Sequence, residues 1–229
     1  MIKLSVIIPA AGSGTRMGAE VPKPLIKLGQ KTILEHTISR FLEVPDVVQI
    51  IIATSSAYVK EIETLVQDLT KQVELKVVEG GDERQYSINN ALQHVKSEVT
   101  LVAVHDAVRP FIRPALISKC CEVAEKCDGA VVGVPAKDTI KKVDGEQIIE
   151  STPDRSLLWQ AQTPQVFQKQ ILMQAYEAAL KDKFVGTDDA SLVERIGGKI
   201  QMVEGDRENL KITFPVDLKI AELMLKKYQ

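Results

Sequence analysis

The chain has 229 residues, with 29 Lys and Arg against 31 Asp and Glu, a net charge of −2 and 45% hydrophobic residues. That length suits one α/β domain or a domain with an appendage, and the apolar share is enough for a substantial core. The balanced charge speaks against a duplex nucleic-acid binder, which carries a basic excess, but leaves room for a local basic pocket.

The chain opens on Leu4–Pro9, an apolar run too short for a signal-peptide core or a membrane span and expected as a first buried strand. A glycine-rich loop follows. Thr32-Ile33-Leu34-Glu35 matches a capping box and starts a helix over Ile33–Glu43. Strands are then predicted at Val47–Thr54, Glu74–Val78, Thr100–His105 and Ala130–Pro135, and helices at Ala57–Lys71, Gln85–Val95 and Pro114–Cys127. Cys120, Cys121 and Cys127 all fall in the last of these helices. Their odd number and the lack of a Cys-x-x-Cys pair oppose a disulfide framework and a thiolate metal site, and point to a reducing, cytoplasmic compartment. His36, His94 and His105 are scattered, which weakens zinc further. The strands are apolar almost throughout, as in a parallel sheet covered on both faces, and the alternation predicts a doubly wound α/β fold. Ligands in such folds bind beyond the carboxyl ends of the strands.

The stretch Lys137–Thr152 breaks the alternation. Thr139–Val143 and Gln147–Glu150 flank Asp144-Gly145, a hairpin signal. A lone hairpin cannot bury its apolar side chains, so it must pack on the body or on another subunit. Leu157–Gln162 is expected to rejoin the sheet. Helices follow at Lys169–Lys181 and Asp188–Arg195, a strand at Lys199–Val203, and a closing helix at Pro215–Lys226 with Pro in its first turn.

The strongest local signal is Pro9-Ala10-Ala11-Gly12-Ser13-Gly14-Thr15-Arg16-Met17-Gly18. Glycines let backbone N–H groups approach phosphate oxygens. A Walker loop needs Gly-Lys-Ser/Thr, which is absent. A dinucleotide fingerprint needs a third glycine where Met17 stands and an acidic residue near the second strand's end, which reads Ala53-Thr54-Ser55-Ser56. A tight turn without a ligand is the plainer alternative. Against it stand Arg16 in the loop and Lys23 between Pro22 and Pro24, whose rings stiffen its backbone. Fixed cations are what a protein supplies to a phosphorus centre under attack.

These residues resemble the signature of nucleotidyltransferases that activate sugars and polyols. Gly80-Gly81-Asp82-Glu83-Arg84-Gln85-Tyr86-Ser87, His105-Asp106-Ala107-Val108-Arg109-Pro110-Phe111, Lys137-Asp138-Thr139-Ile140-Lys141, Gln162-Thr163-Pro164-Gln165, Gly186-Thr187-Asp188-Asp189-Ala190 and Asn209-Leu210-Lys211-Ile212-Thr213 extend the resemblance to the 2-C-methyl-D-erythritol 4-phosphate cytidylyltransferases of the non-mevalonate isoprenoid route. It runs from the first strand to the final helix. It implies a single domain over 1–229, a Rossmann-like nucleotidyltransferase with a protruding β-arm over 137–156. It further implies transfer of a cytidylyl group from CTP with release of pyrophosphate, Mg²⁺ as the cation, and a homodimer formed through the arm, with no nucleic-acid or membrane partner.

By the same resemblance Ala10, Ala11, Gly12, Gly14, Gly81, Asp82, Ser87, Asp106, Ala107 and Arg109 line the CTP site, and Asp106 faces Mg²⁺ or a ribose hydroxyl. A helix cap is the plainer reading of Asp106. Arg16 and Lys23 would stabilise the pentacoordinate phosphorus. Lys211 and Arg155 would hold the acceptor's phosphate, with Thr139, Thr163 and Thr187 nearby. Thr15 departs from members that carry a second Arg beside Arg16. Ribitol 5-phosphate cytidylyltransferases share the loop and two of the segments. Gly81–Arg84 and Gly186–Ser191 favour the erythritol family over them. A catalytically silent nucleotide-binding regulator would have little need for Arg16, Lys23 and Lys211 together.

Overall fold

The β-branched runs of the sequence become strands buried on both faces. The computed structural model describes residues 1–12 and 21–227. In chain order its elements are β1 (Leu4–Pro9), β2 (Lys27–Leu28), β3 (Lys31–Thr32), α1 (Ile33–Leu42), β4 (Val47–Thr54), α2 (Val59–Val66), β5 (Glu74–Glu79) and α3 (Arg84–Leu92). Then come β6 (Leu101–Val104), α4 (Pro114–Ala124), β7 (Gly129–Pro135), β8 (Lys142–Val143), β9 (Ile149–Ser151) and β10 (Trp159–Gln168). The chain closes with α5 (Lys169–Lys181), α6 (Asp189–Arg195), β11 (Ile200–Glu204) and α7 (Pro215–Lys227).

The central sheet has seven strands in the order β11-β7-β10-β6-β1-β4-β5. All neighbours are parallel except β10, which is antiparallel to both β6 and β7. Alternate residues of the strands feed two apolar layers. On one face Val6, Ile8, Ile50, Ile52, Ala103 and Val132 pack under α1, α2 and α4. On the other Ile7, Ile51, Val102, Val104, Val131 and Phe167 pack under α3, α5 and α6. Each fully buried Val, Leu or Ile contributes about 1.5–3 kcal/mol, so helices on both faces are what keep so apolar a sheet in solution. This is the expected doubly wound, mostly parallel fold. A third small cluster of Leu28, Ile33, Phe111, Ile212 and Ala221 seats α7 and the strap before it beside α1.

Several boundaries differ from the sequence reading. The long second helix is a 3₁₀ turn over Ser56–Tyr58 followed by a helix that ends at Val66. Helix α4 stops at Ala124, so Cys127 lies past it, its Sγ 3.1 Å from the Val123 carbonyl and 3.2 Å from that of Gly129. Strand β10 continues six residues beyond Gln162. Pro164 has no N–H, and the ladder to β7 is interrupted between Ala161 and Gln165 before it resumes. The hairpin turn is longer than Asp-Gly. The Asp144 carboxylate accepts from the N–H of Glu146 and of Ile148 at 2.9 Å each, and Gln147 takes the left-handed conformation at φ 65°. The arm strands β8 and β9 are exposed along their whole length, as are Ile148 (61%) and Leu157 (78%).

Candidate active site

The carboxyl ends of β1, β5 and β6 open into one cleft of about 330 Å³, in the size range of small-molecule sites. Strand β1 delivers Ala10, Ala11 and Gly12. Ala10 N–H donates to the Ala53 carbonyl at 2.7 Å, which ties the loop's entry to β4. Beyond β5, Gly81 N–H donates to Ser87 Oγ at 3.0 Å, and that hydroxyl lies 3.1 Å from the carbonyls of Gly81 and Glu83, one of which takes its proton. A Cβ on Gly81 would sit 2.5 Å from Tyr86 Cβ, so no larger residue fits the turn that brings Gly81 and Asp82 to the cleft. Across from them, Lys23 begins a 3₁₀ turn, with Pro22 before it and Pro24 within the turn.

Beyond β6, Asp106 sits at the cleft floor. Its Oδ2 is 3.1 Å from Arg109 Nε and 3.0 Å from Lys211 Nζ, and its N–H donates to Thr163 Oγ1 at 3.0 Å. Burial alone would raise this carboxyl, but Lys211, Arg109 and Arg84 override it and hold it down at about 2. His105 is fully buried beneath. Its ring meets Phe41 edge-on at 4.9 Å and its Nε2 lies 3.1 Å from the Arg109 carbonyl. Burial pushes the imidazole down to about 4 against that hydrogen bond, so it stays neutral and donates through Nε2.

Ala10, Ala11, Gly12, Lys23, Gly81, Asp82, Ser87, Asp106, Ala107 and Lys211 thus line one cleft. Arg109 and Thr163 stand behind it on Asp106. Thr139 and Arg155 are exposed on the arm, and Thr187 is exposed just before α6; none of the three lines the cleft within this one chain. Gly14 and Arg16 lie outside the described residues. Sequence reasoning gave no role to Arg84 or Asn209. Arg84 lines the cleft but pairs with the buried Asp189 at 2.7 Å, and Tyr176 Oη donates to the same carboxylate at 2.5 Å. Burial works to lower the Arg84 guanidinium, yet Asp189 raises it. Both residues stand inside segments singled out from the sequence, but their partners lie 105 and 46–47 positions away, beyond the reach of any spacing rule.

Among the described residues the carboxylates lining the cleft are Asp82, Glu83 and Asp106. Among the described residues no group of three or more His, Cys, Asp or Glu is placed to hold a metal. Such a donor set suits Mg²⁺ only where phosphate oxygens and water complete the octahedron. Among the described residues no helix is long and apolar enough to cross a membrane.

A doubly wound sheet that gathers Lys23, Lys211, Ala10–Gly12 and Gly81 at its carboxyl edge defines a class, the α/β nucleotidyltransferase-like proteins. The family model for 2-C-methyl-D-erythritol 4-phosphate cytidylyltransferase matches residues 4–227. Relatives of that name include one from Caldanaerobacter subterraneus, 41% identical over 99% of this chain and 100% of its own length, and one from Syntrophotalea carbinolica, 46% identical over 96% and 95%. Among solved structures, a 4-diphosphocytidyl-2C-methyl-D-erythritol synthase from Anaerococcus prevotii superposes with a TM-score of 0.88 at 30% identity, covering 98% of this chain and 96% of that one. A 2-C-methyl-D-erythritol 4-phosphate cytidylyltransferase from Thermus thermophilus gives 0.80 at 31%, covering 98% and 100%. The chain belongs to the 2-C-methyl-D-erythritol 4-phosphate cytidylyltransferase family.

Proposed function

We propose that the cleft at the ends of β1, β5 and β6 binds CTP and transfers its cytidylyl group to 2-C-methyl-D-erythritol 4-phosphate, a step in making isoprenoid precursors. The observation that carries this reading is the meeting of Lys23 and Lys211 with the small-residue walls of Ala10–Gly12 and Gly81 in one cleft of nucleotide size. Family membership favours methylerythritol phosphate over ribitol phosphate.

Small residues let the nucleotide approach the backbone, and Gly81 with Ser87 offers polar groups to a pyrimidine edge. An oxygen of the acceptor's phosphate attacks the α-phosphorus of CTP in line. The new P–O bond forms as the bond between the α-phosphorus and the bridging oxygen to the β-phosphorus breaks, and pyrophosphate leaves with that oxygen. A phosphate monoester has its second pKa near about 6, so the nucleophile is already ionised at neutral pH and no general base is required. Lys23 and Arg16 stabilise the charge that grows at phosphorus, and Lys211 holds the acceptor's phosphate. Mg²⁺ would be held mainly by the triphosphate, with Asp106 as a carboxylate available to it, and would offset phosphate charge.

The whole chain acts as one domain, and its 137–156 arm reaches a second copy, giving a homodimer in which Arg155 and Thr139 serve the partner's acceptor site beside Thr163 and Thr187. The exposed apolar residues of the arm support this, since a two-stranded hairpin cannot bury them itself. Three cysteines, an odd number with no Cys-x-x-Cys pair, favour a reducing, cytoplasmic setting. The direct test is pyrophosphate release with CTP and each polyol phosphate in turn. Methylerythritol phosphate is expected to give the higher kcat/KM. Equal or faster turnover of ribitol phosphate overturns the acceptor assignment.

A further inference from the structure

Asn209 lies on the strap between β11 and α7 and is 1% exposed. Its Nδ2 donates to Gln162 Oε1 at 3.0 Å and to the Thr163 carbonyl at 2.9 Å. Both protons of that nitrogen face acceptors, so the amide has one sensible orientation; the flipped one sets oxygen against oxygen. Its Oδ1 is buried without a hydrogen-bond partner among the described residues. An orphaned carbonyl oxygen costs stability, and an apolar residue would avoid it. The two donated bonds are what the amide provides in return.

Those bonds close a ring around Asp106. Asp106 N–H donates to Thr163 Oγ1, the Thr163 carbonyl accepts from Asn209 Nδ2, the Asn209 carbonyl accepts from Arg109 Nη1 at 2.7 Å, and Arg109 Nε returns to Asp106 Oδ2. Two residues on from Asn209, Lys211 Nζ reaches the same Oδ2 at 3.0 Å, and Ile212 N–H donates to the Val108 carbonyl at 2.9 Å. The Lys211 side chain is 46% exposed, so its own packing does little to aim it and the seat of the strap decides where its ammonium goes.

We infer that Asn209 is a positioning residue, which locks the strap to β10 so that Lys211 converges on Asp106 and sets the acceptor's phosphate site. The inference rests on the role proposed for Lys211.

A double-mutant cycle tests it, with kcat and KM measured for wild type, Asn209→Ala, Lys211→Ala and the pair. Asn209→Ala is expected to raise the acceptor KM about tenfold while the CTP KM stays within about twofold. In the Lys211→Ala background the same change is expected to cost nothing more, because its effect runs through that ammonium. Additive losses overturn the inference. A second reading does not depend on turnover. The Ile212 amide, which donates to the Val108 carbonyl, is followed by hydrogen exchange and is expected to exchange about tenfold faster in Asn209→Ala as the strap loosens. An unchanged exchange rate overturns the lock even if the wild-type chain transfers no cytidylyl group. Asn209→Leu, which is close in size but offers no donor, carries the same two measurements should the alanine variant fail to fold.

Discussion

Two neighbouring side chains, His105 and Asp106, respond to acid in different windows. The folded His105 titrates at about 4 against an ordinary 6.5. Between those values the unfolded chain binds a proton that the folded chain refuses, so stability falls as pH drops from 6.5 toward 4. Asp106 is depressed to about 2 from 3.8, so its contribution is intact above 3.8 and is lost only as pH falls through that lower range. Urea unfolding at pH 7 and pH 5 separates the two. Wild type is expected to lose about 2 kcal/mol to the imidazole, at about 1.4 kcal/mol per pH unit below 6.5, and His105→Gln to lose less by that amount. Equal losses in both proteins would remove His105 as the acid-sensitive group. For chemistry the telling residue is Lys23. Its backbone is held by Pro22, Pro24 and the 3₁₀ turn, so its charge is preorganised for the transition state. Lys23→Ala is expected to lower kcat about 100-fold or more with CTP affinity, read by calorimetry, nearly unchanged. A kcat within a few-fold of wild type would make Lys23 a bystander.

Helices α3 and α6 come from distant parts of the chain, and two side chains of α3 hold the segment leading into α6. Arg84 pairs with Asp189, while Gln85 donates to the Phe184 carbonyl and accepts from Gly186 N–H, each at 2.9 Å. Asp189 is 1% exposed, so Asp189→Ala strands Arg84 and Tyr176 together. A loss of about 3 kcal/mol in denaturant unfolding is expected. A change under about 1 kcal/mol would show the cluster to be incidental. Element by element, the strands with two apolar faces and the capped helix at Thr32 were plain in the sequence, because local pattern decides them. Strand β10 was only half legible. Gln160 and Gln162 alternate with Ala161, and Pro164 reads as a stop. Yet Gln162 and Gln165 are buried, and their amides bind Asp206, Asn209, Asp188 and Ala190. That Ala10–Gly12 and Lys23 share a cleft could be read from spacing. The convergence of Asp106, Thr163 and Asn209 could not, because it is made by tertiary folding across 57 and 46 positions.

For the whole molecule the decisive experiment mixes subunits. In the proposed dimer, combining Arg155→Ala chains with Lys23→Ala chains leaves one site of each mixed pair with both lesions and the other with neither. Recovery of up to about half of wild-type activity per mixed dimer is expected. No recovery, with exchange verified by native mass spectrometry, would assign each acceptor site to a single chain. The sheet order has another outcome, felt before the protein is finished. Strand β10 lies between β6 and β7, yet it leaves the ribosome after both. Until residues 159–168 emerge, β6 holds a bare apolar edge and β7 has no neighbour, since β11 comes later still. A chain that folds as it is made therefore carries an open, sticky edge through the synthesis of the entire arm.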